Sequence, residues 1–97
     1  MSNAFNVIAT LIAKPGQQDT LEKLLRELLE PTRKEAGWEQ YELNQDLQRP
    51  EAFYMIERWS DDAALAAHDQ SAHIQNFRTK AADVIEHFEL KRLQFLA

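Results

Sequence analysis

His68 and His73 are the side chains of this 97-residue chain best suited to move a proton near neutral pH. His68 follows Leu65 by three residues and Ala64 by four, so on a helix it shares their apolar face. His73 takes the second position after Ser71, a candidate helix cap, where the macrodipole favours an uncharged ring. Either could serve as a base; an imidazole on an apolar face can also be a structural residue with its hydrogen bonds satisfied. Five residues apart, they miss the i, i+4 spacing that stacks two metal ligands on one helical face. No cysteine assists them, so no preformed metal site is expected. His87, at the head of the last strand, reads as structural or exposed.

Arg58 shares a strand face with Tyr54 and Ile56 by alternation, and could hold an anionic substrate oxygen or form a cross-strand ion pair. Glu57 falls on the other face with Met55 and Trp59. It could orient a histidine, act as a base, or be a partnered structural carboxylate at a subunit seam. Tyr41, Tyr54, Trp59 and Phe77 could box a planar ring or simply fill the core. Asp61, Asp62 and the charges of the first helix read as a cap and a solvated surface. The chain has no GxGxxG, P-loop or HExxH motif.

These side chains need a scaffold, and the hydropathy pattern supplies one. Ala4 to Ala13 alternates as a strand with apolar residues on both faces, closed by the turn Lys14-Pro15-Gly16. Leu21, Leu24, Leu25, Leu28 and Leu29 give the stripe of a helix from Gln17 to Ala36, kinked or broken near Pro31 and stopped by Gly37. Strands follow at Trp38–Leu47 and Ala52–Trp59, joined by a hairpin loop. Ser60 caps a short helix from Asp61 to His68, and Ser71 caps a second over Ala72–Ile85 with the stripe Ile74, Phe77, Ala81 and Val84. Glu86 to Leu96 closes the chain as a fourth strand.

That order is βαββαβ, a ferredoxin-like α+β fold with an antiparallel sheet and both helices on one face. Apolar side chains on the second face of strands one and three call for a cover, and a homodimer with sheets packed face to face supplies it. One domain from Phe5 to Leu96 accounts for the chain. Its net charge of −5 argues against nucleic acid. No apolar run is long enough to span a membrane, and no signal-peptide pattern opens the sequence. Absence of cysteine excludes a disulfide framework and suits a reducing cytoplasm. Met1 to Ala4 carry the Ser-Asn-Ala pattern of an expression scar and receive no functional weight.

VIATLIAKPG at Val7–Gly16, the Leu-rich helix, YEL at Tyr41–Leu43, and the run that opens ERW, carries AALAAH and ends SAHIQNF together resemble the antibiotic biosynthesis monooxygenase family. The likeness is greatest to its small single-domain members assigned as quinol monooxygenases, and it extends from about Phe5 to Leu96. It implies a dimeric α+β barrel with a pocket in each subunit between helices and sheet. It further implies oxygenation of a quinol-like or polyphenolic aromatic by O2, without metal, flavin or haem. The family's haem-degrading branch uses an Asn on the first strand and a Trp and a His on the second helix. Here those positions carry Ile8 or Ala9, His68 and Arg78, which departs from that pattern.

Oxygenation without a cofactor draws its electrons from the substrate. A base, an apolar cavity and a cation or hydrogen-bond donor are what the protein must supply. Two other readings fit the same scaffold: a dimeric small-molecule-binding or stress-response module without catalysis, and an isomerase of a small carbonyl compound.

Overall fold

Alternation along the first strand decides which side chains meet the helices. In β1 (Phe5–Ala13), Val7, Ala9, Leu11 and Ala13 are buried, while Asn6, Ile8, Thr10 and Ile12 are half-buried on the reverse side. The computed structural model describes residues 3–97; Met1 and Ser2, part of the segment set aside as a scar, lie outside the described residues. The remaining elements are α1 (Gln18–Arg26), α2 (Leu29–Thr32), β2 (Trp38–Gln45), β3 (Ala52–Trp59), α3 (Asp62–Asp69), α4 (Ala72–Ala81) and β4 (Ile85–Leu93). The strands form one antiparallel sheet in the order β2-β3-β1-β4, which is the ferredoxin-like topology expected. No helix among the described residues is long and apolar enough to cross a membrane.

The core lies between the sheet and the helices. Leu21, Leu25 and Leu28 meet Ile74, Phe77 and Ala81 above Val7, Ala9, Leu11, Phe53, Met55 and Trp59. Cross-strand register places Tyr41 opposite Glu57, and Glu57 opposite Val7, all on this inner face. The reverse face carries Ile8, Ile12, Tyr54, Ile56 and Leu93 among the polar Asn6, Thr10, Gln40, Glu42, Arg58, Glu89 and Lys91.

Several boundaries differ from the sequence expectation. The first helix breaks at Glu27 and Leu28, four and three residues ahead of Pro31, because the proline ring collides with the Glu27 carbonyl and donates no hydrogen bond to it. Helical structure then ends at Thr32, short of Ala36. Asp61 rather than Ser60 caps α3: its Oδ1 accepts from the Ala64 amide at 2.8 Å, while the Ser60 amide still donates to the Gly37 carbonyl. Strand β2 stops at Gln45, since Asp46 turns its carboxylate onto the Gln48 and Arg49 amides. Helix α4 stops at Ala81, because Val84 already accepts a hydrogen bond from Lys14 beside β1. Strand β4 correspondingly runs Ile85–Leu93 instead of Glu86–Leu96.

Candidate functional site

A cavity of about 320 Å³ opens between the helices and the inner face of the sheet. Leu25 and Leu28 from the first helical segment, Ala9, Leu11 and Met55 from the sheet, and Ile74, Phe77 and Ala81 from α4 make it predominantly apolar. On its open side stand Phe88 and Leu90 of the edge strand β4, which point toward the helix layer yet stay 55% and 41% exposed because no helix reaches over them. Its polar wall comprises Tyr41, Glu57, His68, Asp69 and Arg78.

His68 owes its place to two caps. Asp61 starts α3 and Ser71 starts α4; the Ser71 hydroxyl donates to the His68 carbonyl at 2.7 Å and accepts from the Ile74 amide at 3.3 Å. The two histidines belong to different helices, as expected from sequence, so they can meet at one carboxylate without the i, i+4 spacing that a single helical face requires. Both converge on Glu35: His68 Nδ1 lies 2.7 Å and His73 Nε2 2.8 Å from the same oxygen, Oε2. A carboxylate oxygen accepts, so each ring donates its N–H to it. Glu35 is brought there by the bend before Gly37, whose φ of +83° favours glycine. A Cβ at Gly37 would lie 2.4 Å from Ala64 Cβ and 2.7 Å from Ser60 Oγ, so this glycine lets the chain press against the start of α3.

The His68 ring is clamped by aromatics as well. Trp59 lies tilted against it at 4.6 Å between centroids, and Tyr41 meets it edge-on at 5.3 Å. With Nδ1 engaged, Nε2 is the one ring nitrogen of His68 without a hydrogen bond among the described residues, and the side chain lines the cavity. Burial holds its pKa below the usual imidazole range, against the opposing pull of Glu35. An uncharged ring with Nδ1–H donating leaves a lone pair on Nε2.

Beside it, Glu57 accepts a hydrogen bond from Trp59 Nε1 at 2.9 Å. Burial pushes its pKa up to about 7, with the Glu35 charge adding to the rise and the Trp59 bond opposing it. Burial, together with the Glu57 charge, likewise raises the Tyr41 phenol far above its ordinary value, so Tyr41 stays a neutral hydroxyl.

Among the residues singled out from sequence, His68, Tyr41 and Phe77 line the cavity. Trp59 is fully buried behind His68 and supports the ring without lining the space. His73 reaches Glu35 and does not line it. Arg58 and Tyr54 stand on the reverse face of the sheet, as strand alternation requires. Arg58 there bonds Glu39 at 2.9 Å and Asn6 at 3.1 Å, the ion-pair alternative rather than substrate contact. Glu57 turns toward the cavity and not toward a seam on the reverse face.

Glu35 and Arg78 escaped sequence reasoning. Glu35 looked like one more charge on a solvated helix; its signal was a carboxylate two residues ahead of a glycine turn, in a chain with two histidines needing an acceptor. Arg78 is the guanidinium lining the cavity among the described residues, tethered to the Asp69 carboxylate and, at 3.1 Å, to the Asp69 carbonyl. Glu35 Oε, His68 Nδ1 and His73 Nε2 all lie within 4.8 Å of one another, so the three residues could also hold a metal ion.

Known proteins match this chain along most of its length. The sequence model of the family described as antibiotic biosynthesis monooxygenase matches residues 4–80. The Bacillus subtilis protein named "Putative monooxygenase YcnE" is 30% identical over 77 residues, 79% of this chain and 81% of the relative. The Mycobacterium tuberculosis protein named "Putative monooxygenase Rv0793" is 29% identical over 85 residues, 88% of this chain and 83% of the relative. Among solved structures, that of PA3566 from Pseudomonas aeruginosa superposes with a TM-score of 0.95 at 41% identity, covering 100% of this chain and 98% of the other.

Proposed function

The chain belongs to the antibiotic biosynthesis monooxygenase family, and from that footing we propose that it oxygenates a quinol-like or polyphenolic aromatic with O2, using no cofactor, with His68 as the base. The observation that carries this reading is the orientation of His68. Nδ1 is fixed by Glu35, Nε2 has no hydrogen bond among the described residues, and the side chain lines a largely apolar cavity. A volume of about 320 Å³ suits a ligand of one to three fused rings, at the small end of ligand pockets.

Nε2 takes the phenolic proton, and Glu35 stabilises the imidazolium so formed. The phenolate passes one electron to O2; the aryloxyl radical and superoxide recombine at a ring carbon, and the returning proton gives a hydroperoxide. That carbon then loses its hydrogen as a proton to Nε2. The C–H electron pair becomes part of a new C=O bond, the O–O bond breaks, and the departing hydroxide leaves with the proton as water. One oxygen atom ends in the quinone and the other in water, and all electrons come from the substrate. Arg78 and the Tyr41 hydroxyl are the nearby donors for charge developing on oxygen. Apolar walls keep bulk water from the radical pair.

Oxygen uptake by metal-free protein across a panel of quinols and naphthols tests the reading. His68→Ala should lower kcat by about 10²–10⁴-fold with a smaller change in ligand affinity. Absence of uptake across the panel, or turnover that persists under nitrogen, would overturn it; the second result is what an isomerase gives.

A further inference from the structure

We propose that Glu35, His68 and His73 form a binding site for one divalent transition-metal ion of the zinc, cobalt or nickel class, and that the bound ion switches His68 from proton acceptor to proton donor. One imidazole from α3 and one from α4 converge on a single carboxylate oxygen of Glu35, from the bend before Gly37. His68 Nδ1 and His73 Nε2 stand 2.7 and 2.8 Å from Glu35 Oε2. Ligand atoms about 2.1 Å from a metal lie about 3.0–3.4 Å apart in octahedral or tetrahedral arrangements. Each nitrogen–oxygen pair therefore opens by a few tenths of an ångström to admit the ion, and the two nitrogens, now within 4.8 Å of each other, draw together. Helix ends and the Gly37 bend supply these ligands, so such a shift leaves the sheet undisturbed.

Two nitrogen donors with one oxygen favour a borderline first-row ion over magnesium or calcium, which take oxygen ligands. Access is from the His73 side, where that side chain is 23% exposed against 7% for His68. Three protein ligands leave the remaining positions to water, the open form of such sites.

Binding has a defined consequence for the proton on His68. Nδ1 must offer its lone pair to the ion, so the proton it now donates to Glu35 leaves that atom. A neutral imidazole ligand then carries its hydrogen on Nε2, the other nitrogen of a ring that lines the cavity. The metal-bound protein can donate to a phenolate but cannot deprotonate a phenol. Binding itself stands on the three side chains alone; only its inhibitory effect rests on the oxygenation proposed above.

Chelator-treated protein titrated with Co2+ should take up one ion per chain with a visible absorption band. Fluorescence of Trp59, packed on the His68 ring, should be quenched to the same endpoint. Zn2+ should compete in calorimetry, and Mg2+ should not. Glu35→Gln and His73→Gln should each weaken binding at least about tenfold, with His87→Gln as the unaffected control. In unmodified protein, Co2+ should displace the ring-proton NMR signals of two of the three histidines, which requires no variant to fold. Sub-stoichiometric uptake, binding undiminished by His73→Gln, or a Co2+ shift confined to His87 would each overturn the site. In the oxygen-uptake assay, one equivalent of Zn2+ should stop turnover; if uptake continues with the ion bound, the switch is wrong although the site stands.

Discussion

A single oxygen of Glu35 governs the chemistry of the site, because it settles which nitrogen of His68 is free. Glu57 sets a different property. The residue is 4% exposed, and burial raises its pKa from 4.5 to about 7 on folding. Between those values the folded chain holds a proton that the unfolded chain has released, so the contribution of Glu57 to stability is greatest below pH 4.5 and is lost as pH rises through 7. The contribution of this one group is about 3 kcal/mol, taken from the size of the shift. Glu57→Gln should flatten that part of the stability–pH curve, as read by urea denaturation at pH 5 and pH 8. A slope that survives the substitution would assign the effect elsewhere.

Between residues and fold stand the short elements that bring distant side chains together. Gly37 is the tightest of these junctions. Gly37→Ala would place a methyl group 2.4 Å from Ala64 Cβ in a backbone region that alanine avoids. We expect a loss of about 2 kcal/mol or more in stability, with activity falling further because Glu35 moves off His68. A variant with normal melting and normal turnover would show that the bend does not position the carboxylate. Such junctions are also where the sequence was hardest to read. Periodicity gave the strands, the Leu stripe and the Ser71 cap, since each is a local pattern repeated over several residues. It also put His68 on an apolar helical face with Ala64 and Leu65. Glu35 meets His68 across 33 residues of chain, and the glycine two residues after it, which Glu27 and Glu30 lack, marks a turn without saying what the carboxylate will face. Arg58 was misplaced for a simpler reason: alternation set its face correctly, but which face bears the cavity depends on where the helices pack.

At the scale of the whole molecule, the helices cover one side of the sheet and leave Ile8, Ile12, Tyr54 and Ile56 on the other. Ile8 and Ile56 are direct cross-strand partners at the centre of that surface. A homodimer through it remains our proposal, and sedimentation should give twice the chain mass. Ile56→Lys should then shift the species toward monomer without unfolding it; Ile56 is 36% exposed in the single chain. A wild-type monomer at micromolar concentration would end that proposal. The mixture of polar groups there, Arg58 with Glu39 among them, suits an interface fixed by pairing as well as by area. The edge strand offers a different opportunity. The Phe88 and Leu90 side chains border the pocket, have no polar atoms to satisfy and are about half in solvent, so replacing them with residues that keep the β4 pairing should change which molecules enter at little cost to folding. Anyone wishing to retailor selectivity would begin at that rim, leaving the Glu35–His68 pair behind it untouched.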